Sequence, residues 1–483
     1  MNIRHVLRTL AILLMILAVF MLIPAVMSFY SGVPHLAESF LIPVGIILVY
    51  GMIMLWLTRK DRKHSFSTRD GFLLVTSSWI LAAFFGALPF YISGSIPSLT
   101  DAFFESMSGF STTGASILTD IEALSKPILF WRSLTHWLGG MGIVVLIVAI
   151  FQFLGGGGLH LLKAESPGPT VDKITPRTAE MAKILWGAYV ILTFLEIFLL
   201  KIGGMTLFEA STHTFGTMAT GGFSPKAGSV GHYNSPFIHY VITVFMLLAG
   251  VNFILYYKLI TGKLKDIWIN TELKVYLGIF FSATIIIALS LYGKSFSTIG
   301  ESIQYAGFQA ASILTTTGFS TDNFDNWPQL AKVTLFSLMF IGGCSGSTGG
   351  GIKVIRIVTL FKLGLNEMKY LLHPRGIFNI KIDGNNIKKD IMYMVCGFFF
   401  LYILLLLVVS LIVASGGNDI ITSFSSALVT LGNIGPGFGR IGPALNYAFY
   451  PDYIKWTLSF AMMAGRLELF TVLVLFTPLF WKK

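Results

Sequence analysis

Apolar stretches long enough to cross a bilayer recur along the whole chain, with shorter semi-polar stretches between them. The pattern predicts two helices first, at about 8–30 and 38–58. The compact basic cluster Arg59-Lys60-Asp61-Arg62-Lys63 follows. From there one unit repeats four times: helix, re-entrant half-helix, glycine turn, helix. The first unit predicts helices near 71–93 and 129–152 around a re-entrant segment at about 100–115. The second predicts helices near 181–203 and 236–260 around 206–223. The third predicts 272–293 and 330–361 around 299–319, and the fourth 388–414 and 453–480 around 418–436. The re-entrant segments are too short and too polar to span. Non-helical backbone at membrane depth is tolerated only where it is buried in protein or lines a watery cavity.

Each re-entrant segment ends on a related motif. The four copies are Ser111-Thr112-Thr113-Gly114-Ala115, Ala219-Thr220-Gly221-Gly222-Phe223, Thr316-Thr317-Gly318-Phe319 and Gly432-Asn433-Ile434-Gly435-Pro436-Gly437. They are in register: Asp101, Glu209, Tyr305 and Thr422 each stand thirteen residues before the matching glycine, and each is followed by a small residue. One Thr-Thr-Gly is an ordinary turn. Four at matched positions between membrane helices can build a pore with fourfold pseudosymmetry. The predicted fold is therefore an all-α integral membrane protein. Its parts are 1–69, the two extra N-terminal helices; 70–160, pore repeat 1; 161–265, repeat 2; 266–375, repeat 3 with an intramembrane gating loop; and 376–483, repeat 4.

Composition sharpens this. Hydrophobic residues make up 54% of the chain and charged residues 12%, which excludes a soluble fold. The net charge of +11 does not point to nucleic acid, because the basic residues concentrate in loops expected on the cytoplasmic side, at 59–69, 163–183, 258–274 and 353–389. Both termini are then cytoplasmic. Arg4 and Arg8 precede an apolar run that is long for a signal peptide and lacks a cleavage site, so it reads as a retained first span. Cys344 and Cys396 form no disulfide framework, and the histidines show no metal-ligand spacing.

The chemistry suits a dehydrated monovalent cation. Backbone carbonyls can replace its water shell without binding it too tightly to leave. Glycine lets the chain turn carbonyls toward an axis and leaves that axis free of a side chain. The half-helices aim their partially negative C-terminal ends at the ion. The candidate ligands are Thr112, Thr113 and Gly114; Thr220, Gly221 and Gly222; Thr317 and Gly318; and Asn433, Ile434 and Gly435. Acidic residues beyond two of the turns, Asp120, Glu122, Asp322 and Asp325, either concentrate cations at the outer mouth or belong to a solvated loop.

Two further features bear on gating. The run Gly342–Gly351 is too glycine-rich for a regular helix. Its residues Gly343, Cys344, Ser345, Gly346, Ser347, Thr348, Gly349 and Gly350 suit an intramembrane gate. A nucleotide P-loop is excluded because the chain reads Gly351-Ile352-Lys353-Val354, without the Gly-Lys-Ser/Thr ending, and no strand precedes it. Arg466 lies too deep in its predicted helix to snorkel. It either forms an electrostatic barrier on the pore axis, or pairs with Glu468 or the loop carbonyls and only ties helices together.

These residues resemble the superfamily of Trk, Ktr and HKT potassium transporters, and within it the TrkH/TrkG branch, over essentially the whole length. The marks are the four turns, Trp137-Leu138-Gly139-Gly140-Met141-Gly142, Ser166-Pro167-Gly168-Pro169, the glycine loop leading into Lys353-Val354-Ile355-Arg356, and Gly465-Arg466-Leu467-Glu468. The two extra N-terminal helices favour Trk over the shorter Ktr subunit. The resemblance implies a K⁺-selective filter, since Gly114 stands where sodium-conducting members often carry serine. It also implies a homodimer in the bacterial inner membrane and a cytoplasmic ring of TrkA-type regulators that bind the nucleotides. The expected docking surface is 155–183, 258–274 and 362–390. The second turn departs mildly, with Met218-Ala219-Thr220-Gly221 before Gly222. K⁺ is the expected cargo, and no organic cofactor is expected in this chain. A Na⁺- or H⁺-coupled symporter on the same scaffold remains the alternative. An enzyme is disfavoured, because no catalytic set stands at convincing spacing.

Overall fold

The computed structural model describes residues 2–59, 67–140, 142, 178–376 and 378–482. Several expected features lie outside the described residues: most of the 59–63 cluster, the continuation of the 129–152 helix, the Ser166–Pro169 stretch and most of the 155–183 surface. Helices Ile3–Tyr30 and Leu36–Leu57 form a hairpin, and the first of them packs on Thr68–Ile92 and Lys126–Gly140. Asn2 ties the N-terminus to the repeats, its N–H donating to Asp70 Oδ1 at 2.8 Å. Six described helices are long and apolar enough to cross a membrane. They include the predicted first helix of every repeat: Thr68–Ile92, Thr178–Ile202, Thr271–Leu291 and Lys389–Ala414.

The pore helices are Leu99–Phe110, Leu207–Ala219, Ile299–Leu314 and Ile420–Leu431. With 12, 13, 16 and 12 residues they reach about 18–24 Å, short of the ~30 Å hydrocarbon thickness. Their starts are written locally. Thr206 with Glu209 and Thr298 with Glu301 make full capping boxes, while Ser98 and Asp419 cap Asp101 and Thr422. The third helix carries one extra turn, so its capping acid is Glu301 and Tyr305 sits within it. The thirteen-residue register therefore aligns the four C-terminal ends, and only three of the four N-terminal ends.

Burial runs opposite to that of a soluble protein. Pore-helix hydroxyls such as Ser106, Ser108, Thr214 and Ser312 are buried, while Phe194, Phe198, Leu289 and Leu411 face outward. Several hydroxyls satisfy themselves on the preceding turn, as Thr217 does on the His213 carbonyl (3.0 Å) and Ser426 on that of Thr422 (2.6 Å).

The second helix of the last three repeats is broken; the break in 330–361 falls at the glycine run as expected, while the other two correct the continuous helices expected at 236–260 and 453–480. The 236–260 stretch divides into Pro236–Ala249 and Phe253–Ile260, bent by 91°. The 453–480 stretch ends its first half at Arg466 and turns by 114° into Phe470–Phe476. The 330–361 stretch stops at Leu338 and resumes at Val354, with the glycine run between. No glycine run marks the other two breaks, where the chain reads Gly250-Val251-Asn252 and Leu467-Glu468-Leu469. At two of the four repeats a glycine lets the second helix close onto a pore-helix end. A Cβ at Gly139 would overlap the Phe110 carbonyl, and one at Gly465 the Leu431 carbonyl. Both carbonyls stand four residues before the glycine of a turn, Gly114 or Gly435.

Candidate functional site: a closed ring of four glycine turns

Each pore helix ends in the same hydrogen-bonded cap. The N–H groups of Thr113, Gly221, Thr317 and Ile434 each donate five residues back, to Ser108, Gly216, Ser312 and Val429, at 2.8–2.9 Å. The residue before each donates three back, as Thr112 does to Gly109 and Thr316 to Ile313. This is a Schellman cap, which requires a left-handed residue. Here that residue is Thr112 (φ 53°), Thr220 (53°), Thr316 (61°) or Asn433 (55°), never glycine. A β-branched residue at positive φ is a strained choice, and such strain collects at functional positions.

Two residues further on come the glycines, again at positive φ: Gly114 at 78°, Gly222 at 80°, Gly318 at 83° and Gly435 at 95°. Alternating signs of φ allow successive carbonyl oxygens to face one side, as in carbonyl-lined cation filters. The glycines are also where the repeats meet. A Cβ on Gly114 would strike the Gly221 carbonyl oxygen; on Gly222, that of Thr317; on Gly318, that of Ile434; and on Gly435, that of Thr113. Repeat 1 thus abuts repeat 2, then 3, then 4, then 1 again. The ring is closed and all four turns stand at one level. All four glycines line a single open cavity, together with Ser116, Ser224 and Ser320 two residues beyond three of them.

Polar side chains hold the turns from behind. Asn433 donates to Thr113 Oγ1 (3.0 Å) and to the Met462 carbonyl (2.9 Å). Thr113 pairs with Ser111, and Thr317 with Thr315, at 2.8 and 2.7 Å. Tyr447 donates to the Gly435 carbonyl at 2.7 Å. The structure therefore brings together every candidate ligand and adds one that the sequence did not single out, Thr316. The acidic residues of the outer loops do not line the ring cavity. Glu122 pairs with Lys226 at 3.6 Å, Asp322 accepts from Trp327 at 2.6 Å, and Asp325 accepts from the Gly439 N–H at 3.3 Å. Among the described residues no group of three or more His, Cys, Asp and Glu could hold a metal ion.

The glycine run lies against the inner side of the ring. Gly350 donates to Thr316 Oγ1 (2.6 Å), and a Cβ on it would press on Gly432 and Asn433. The loop is well bonded. Cys344 and Thr348 donate to the Gly250 and Ala249 carbonyls, Gly346 accepts from Phe253, and Lys353 reaches the Gly349 carbonyl. Glu272 grips both flanks, accepting from the N–H of Ser345 (2.7 Å) and of Ile355 (3.1 Å) through one oxygen. Arg466, the last residue of its half-helix, donates to the Thr348 carbonyl (2.6 Å) and to those of Gly139 and Gly140 (both 2.8 Å). Its contacts belong to repeats 3 and 1, which stand opposite in the ring, so the side chain crosses the gap between them. Glu468 pairs instead with Arg356.

The fold and the site define a multi-pass membrane protein whose four short helices end in a closed ring of glycine turns. The chain belongs to the TrkH family, described as cation transport proteins, which matches residues 42–483. It is 41% identical over 490 residues to the Trk system potassium uptake protein TrkH of Escherichia coli K12, covering 100% of both chains. It is 34% identical over 430 residues to TrkG of the same organism, covering 88% of each. The crystal structure of the potassium transporter TrkH from Vibrio parahaemolyticus superposes with a TM-score of 0.88 at 38% identity, covering 100% of both chains. The activity of this family is transport across a membrane, not enzymatic catalysis.

Proposed function

We propose that this chain carries potassium into a bacterial cell through a K⁺-selective, Rb⁺-permeable pore in the inner membrane. The observation that carries the reading is the closed ring, in which the glycine of each repeat meets the central carbonyl of the next. Thr112, Thr113, Gly114, Thr220, Gly221, Gly222, Thr316, Thr317, Gly318, Asn433, Ile434 and Gly435 are the filter. Residues 343–350 and Arg466 are the gate, and their contacts beneath the ring correspond to its closed state. The boundaries at 70, 161, 266 and 376 divide the repeats. The N- and C-termini face the cytoplasm, two copies associate, and a nucleotide-binding regulator ring docks on the cytoplasmic loops. K⁺ is cargo; the chain itself takes no organic cofactor.

The test is uptake of radiolabelled Rb⁺ into liposomes containing only this chain, with external K⁺ or Na⁺ as competitor. Uptake that follows voltage and is blocked by K⁺ but not by Na⁺ is expected. Uptake that needs a Na⁺ or H⁺ gradient would replace the pore with a symporter on the same scaffold. Glu272 gives a second expectation. Its carboxylate strengthens two backbone hydrogen bonds to the loop, and charged acceptors exceed neutral ones by about 1 kcal/mol. With that increment lost at one of the two bonds, Glu272→Gln should raise regulator-free uptake about fivefold. Unchanged uptake in a folded variant would remove Glu272 from the gate.

A further inference from the structure

Behind the ring, between repeats 1 and 2, lies a buried ion pair. Glu105, on the first pore helix, is fully buried and Arg132, on helix Lys126–Gly140, almost so. Arg132 Nε donates to Glu105 Oε1 at 2.6 Å. Glu105 also accepts from Ser116 Oγ and from the Ile117 N–H, both at 2.9 Å. Arg132 in turn donates to the Ser224 carbonyl at 3.1 Å, and its guanidinium lies 3.5 Å over the Phe223 ring. Ser116 and Ile117 directly follow the first filter turn, and Phe223 and Ser224 directly follow the second. The pair is a cross-brace between two neighbouring filter strands.

At the matching position the other repeats carry neutral groups. Nine residues before each filter glycine stand Glu105, His213, Gln309 and Ser426. His213 bonds Ser224 Oγ at 3.0 Å within its own repeat. In the third repeat Ser312 donates to the Phe319 carbonyl at 2.6 Å, with Gln309 beside it at 3.5 Å. In the fourth, Ser425 Oγ accepts from the Phe438 N–H at 2.8 Å, while Ser426 turns to Tyr450. Among the described residues, only the charged pair links one filter strand to the next from this position.

A buried ion pair is costly relative to apolar packing, and its best-attested use is to fix one geometry rather than to add stability. Discrimination between monovalent cations depends on how far the carbonyls can close around a smaller ion and on how strong a field they present. We propose that Glu105 and Arg132 are positioning residues that set cation discrimination, by holding the first and second filter strands at a fixed separation. The pair is neutral as a unit and acts through geometry; Arg132 also lines the open cavity, while Glu105 does not. This rests on the filter reading given above.

The test measures Rb⁺ uptake by the reconstituted full chain and compares the Na⁺ and K⁺ concentrations that halve it. Arg132→Lys keeps the charge but loses the planar fork that serves Glu105 and Ser224 together. Glu105→Gln with Arg132→Met removes both charges and leaves neither unpaired. Both should keep Rb⁺ uptake while Na⁺ competes several-fold better relative to K⁺. Phe223→Leu leaves the ion pair but removes the ring under the guanidinium, and should shift the ratio in the same direction by less. A folded variant of any of these with the parent's Na⁺/K⁺ ratio would overturn the proposal. A parent chain showing no preference for K⁺ over Na⁺ would instead overturn the filter reading, so the two failures are distinguishable.

Discussion

Gly318→Ala should abolish the preference for K⁺ over Na⁺ and cut Rb⁺ uptake by roughly tenfold or more. Gly318 sits at φ 83°, and an added Cβ would run into the Ile434 carbonyl oxygen and come within 2.9 Å of Pro436 Cδ. The left-handed conformation alone costs an alanine roughly 1–2 kcal/mol, equivalent to about a tenfold loss of the ring geometry. The steric conflict adds to this, because neither a carbonyl in the ring nor the proline that follows it is a flexible side-chain end. The control is Gly94→Ala. Gly94 has a similar φ, 71°, but nothing lies within 4 Å of its Cβ position. It should carry the backbone cost in stability and leave the Na⁺/K⁺ competition ratio unchanged. The measurement is competition of Na⁺ and K⁺ with Rb⁺ uptake for both variants. Loss of selectivity in Gly94→Ala, or its retention in Gly318→Ala, would dissociate the ring from selection.

The ring was legible in the sequence because glycine at positive φ and a fixed spacing back along the pore helix are local properties. Each turn could be read within about twenty residues, and four agreeing copies made a weak motif strong. Thr316 was missed for an equally local reason. It is the middle of the run Thr315-Thr316-Thr317, and only its register, two residues before Gly318 as Thr112, Thr220 and Asn433 are before theirs, marks it as the left-handed one. The hydrogen bond that needs it there ends on Ile313, three residues back. The break after Ala249 was hidden because nearly apolar sequence persists across Gly250, while the charges flanking Leu467, Arg466 and Glu468, do not by themselves say which way the helix turns. Depth in the bilayer fixes what a residue may be, not which way its helix runs.

The remaining omissions were long-range. Arg132 stands 27 residues from Glu105, and Glu272 stands 73 from Ser345, so no periodicity links them. The sequence did flag Arg466, with two readings left open, and the geometry combines parts of both. The side chain does bond one glycine-loop carbonyl, that of Thr348, while Glu468, the other partner considered, pairs with Arg356. A residue that ties repeat 3 to repeat 1 also stands in the way of anything passing between them.

That double position makes Arg466→Ala the sharpest test of the gate. The variant removes three charge-assisted hydrogen bonds, to Thr348, Gly139 and Gly140. Each contributes about 1.5–3 kcal/mol, and losing the equivalent of one shifts a closed–open balance by about tenfold. It also deletes a positive charge just inside the ring, where a cation leaving the filter would meet it. Both effects favour flux, so regulator-free Rb⁺ uptake should rise about tenfold or more, with the Na⁺/K⁺ competition ratio unchanged because the ring is untouched. Arg466→Lys separates the two effects. It keeps the charge but cannot reach three carbonyls in two opposite repeats as a planar fork does, so its uptake should fall between parent and alanine. Equal uptake in the lysine and alanine variants would assign the barrier to the bonds alone. Unchanged or lower uptake in Arg466→Ala would make the residue a tie between helices and leave closure to the glycine loop.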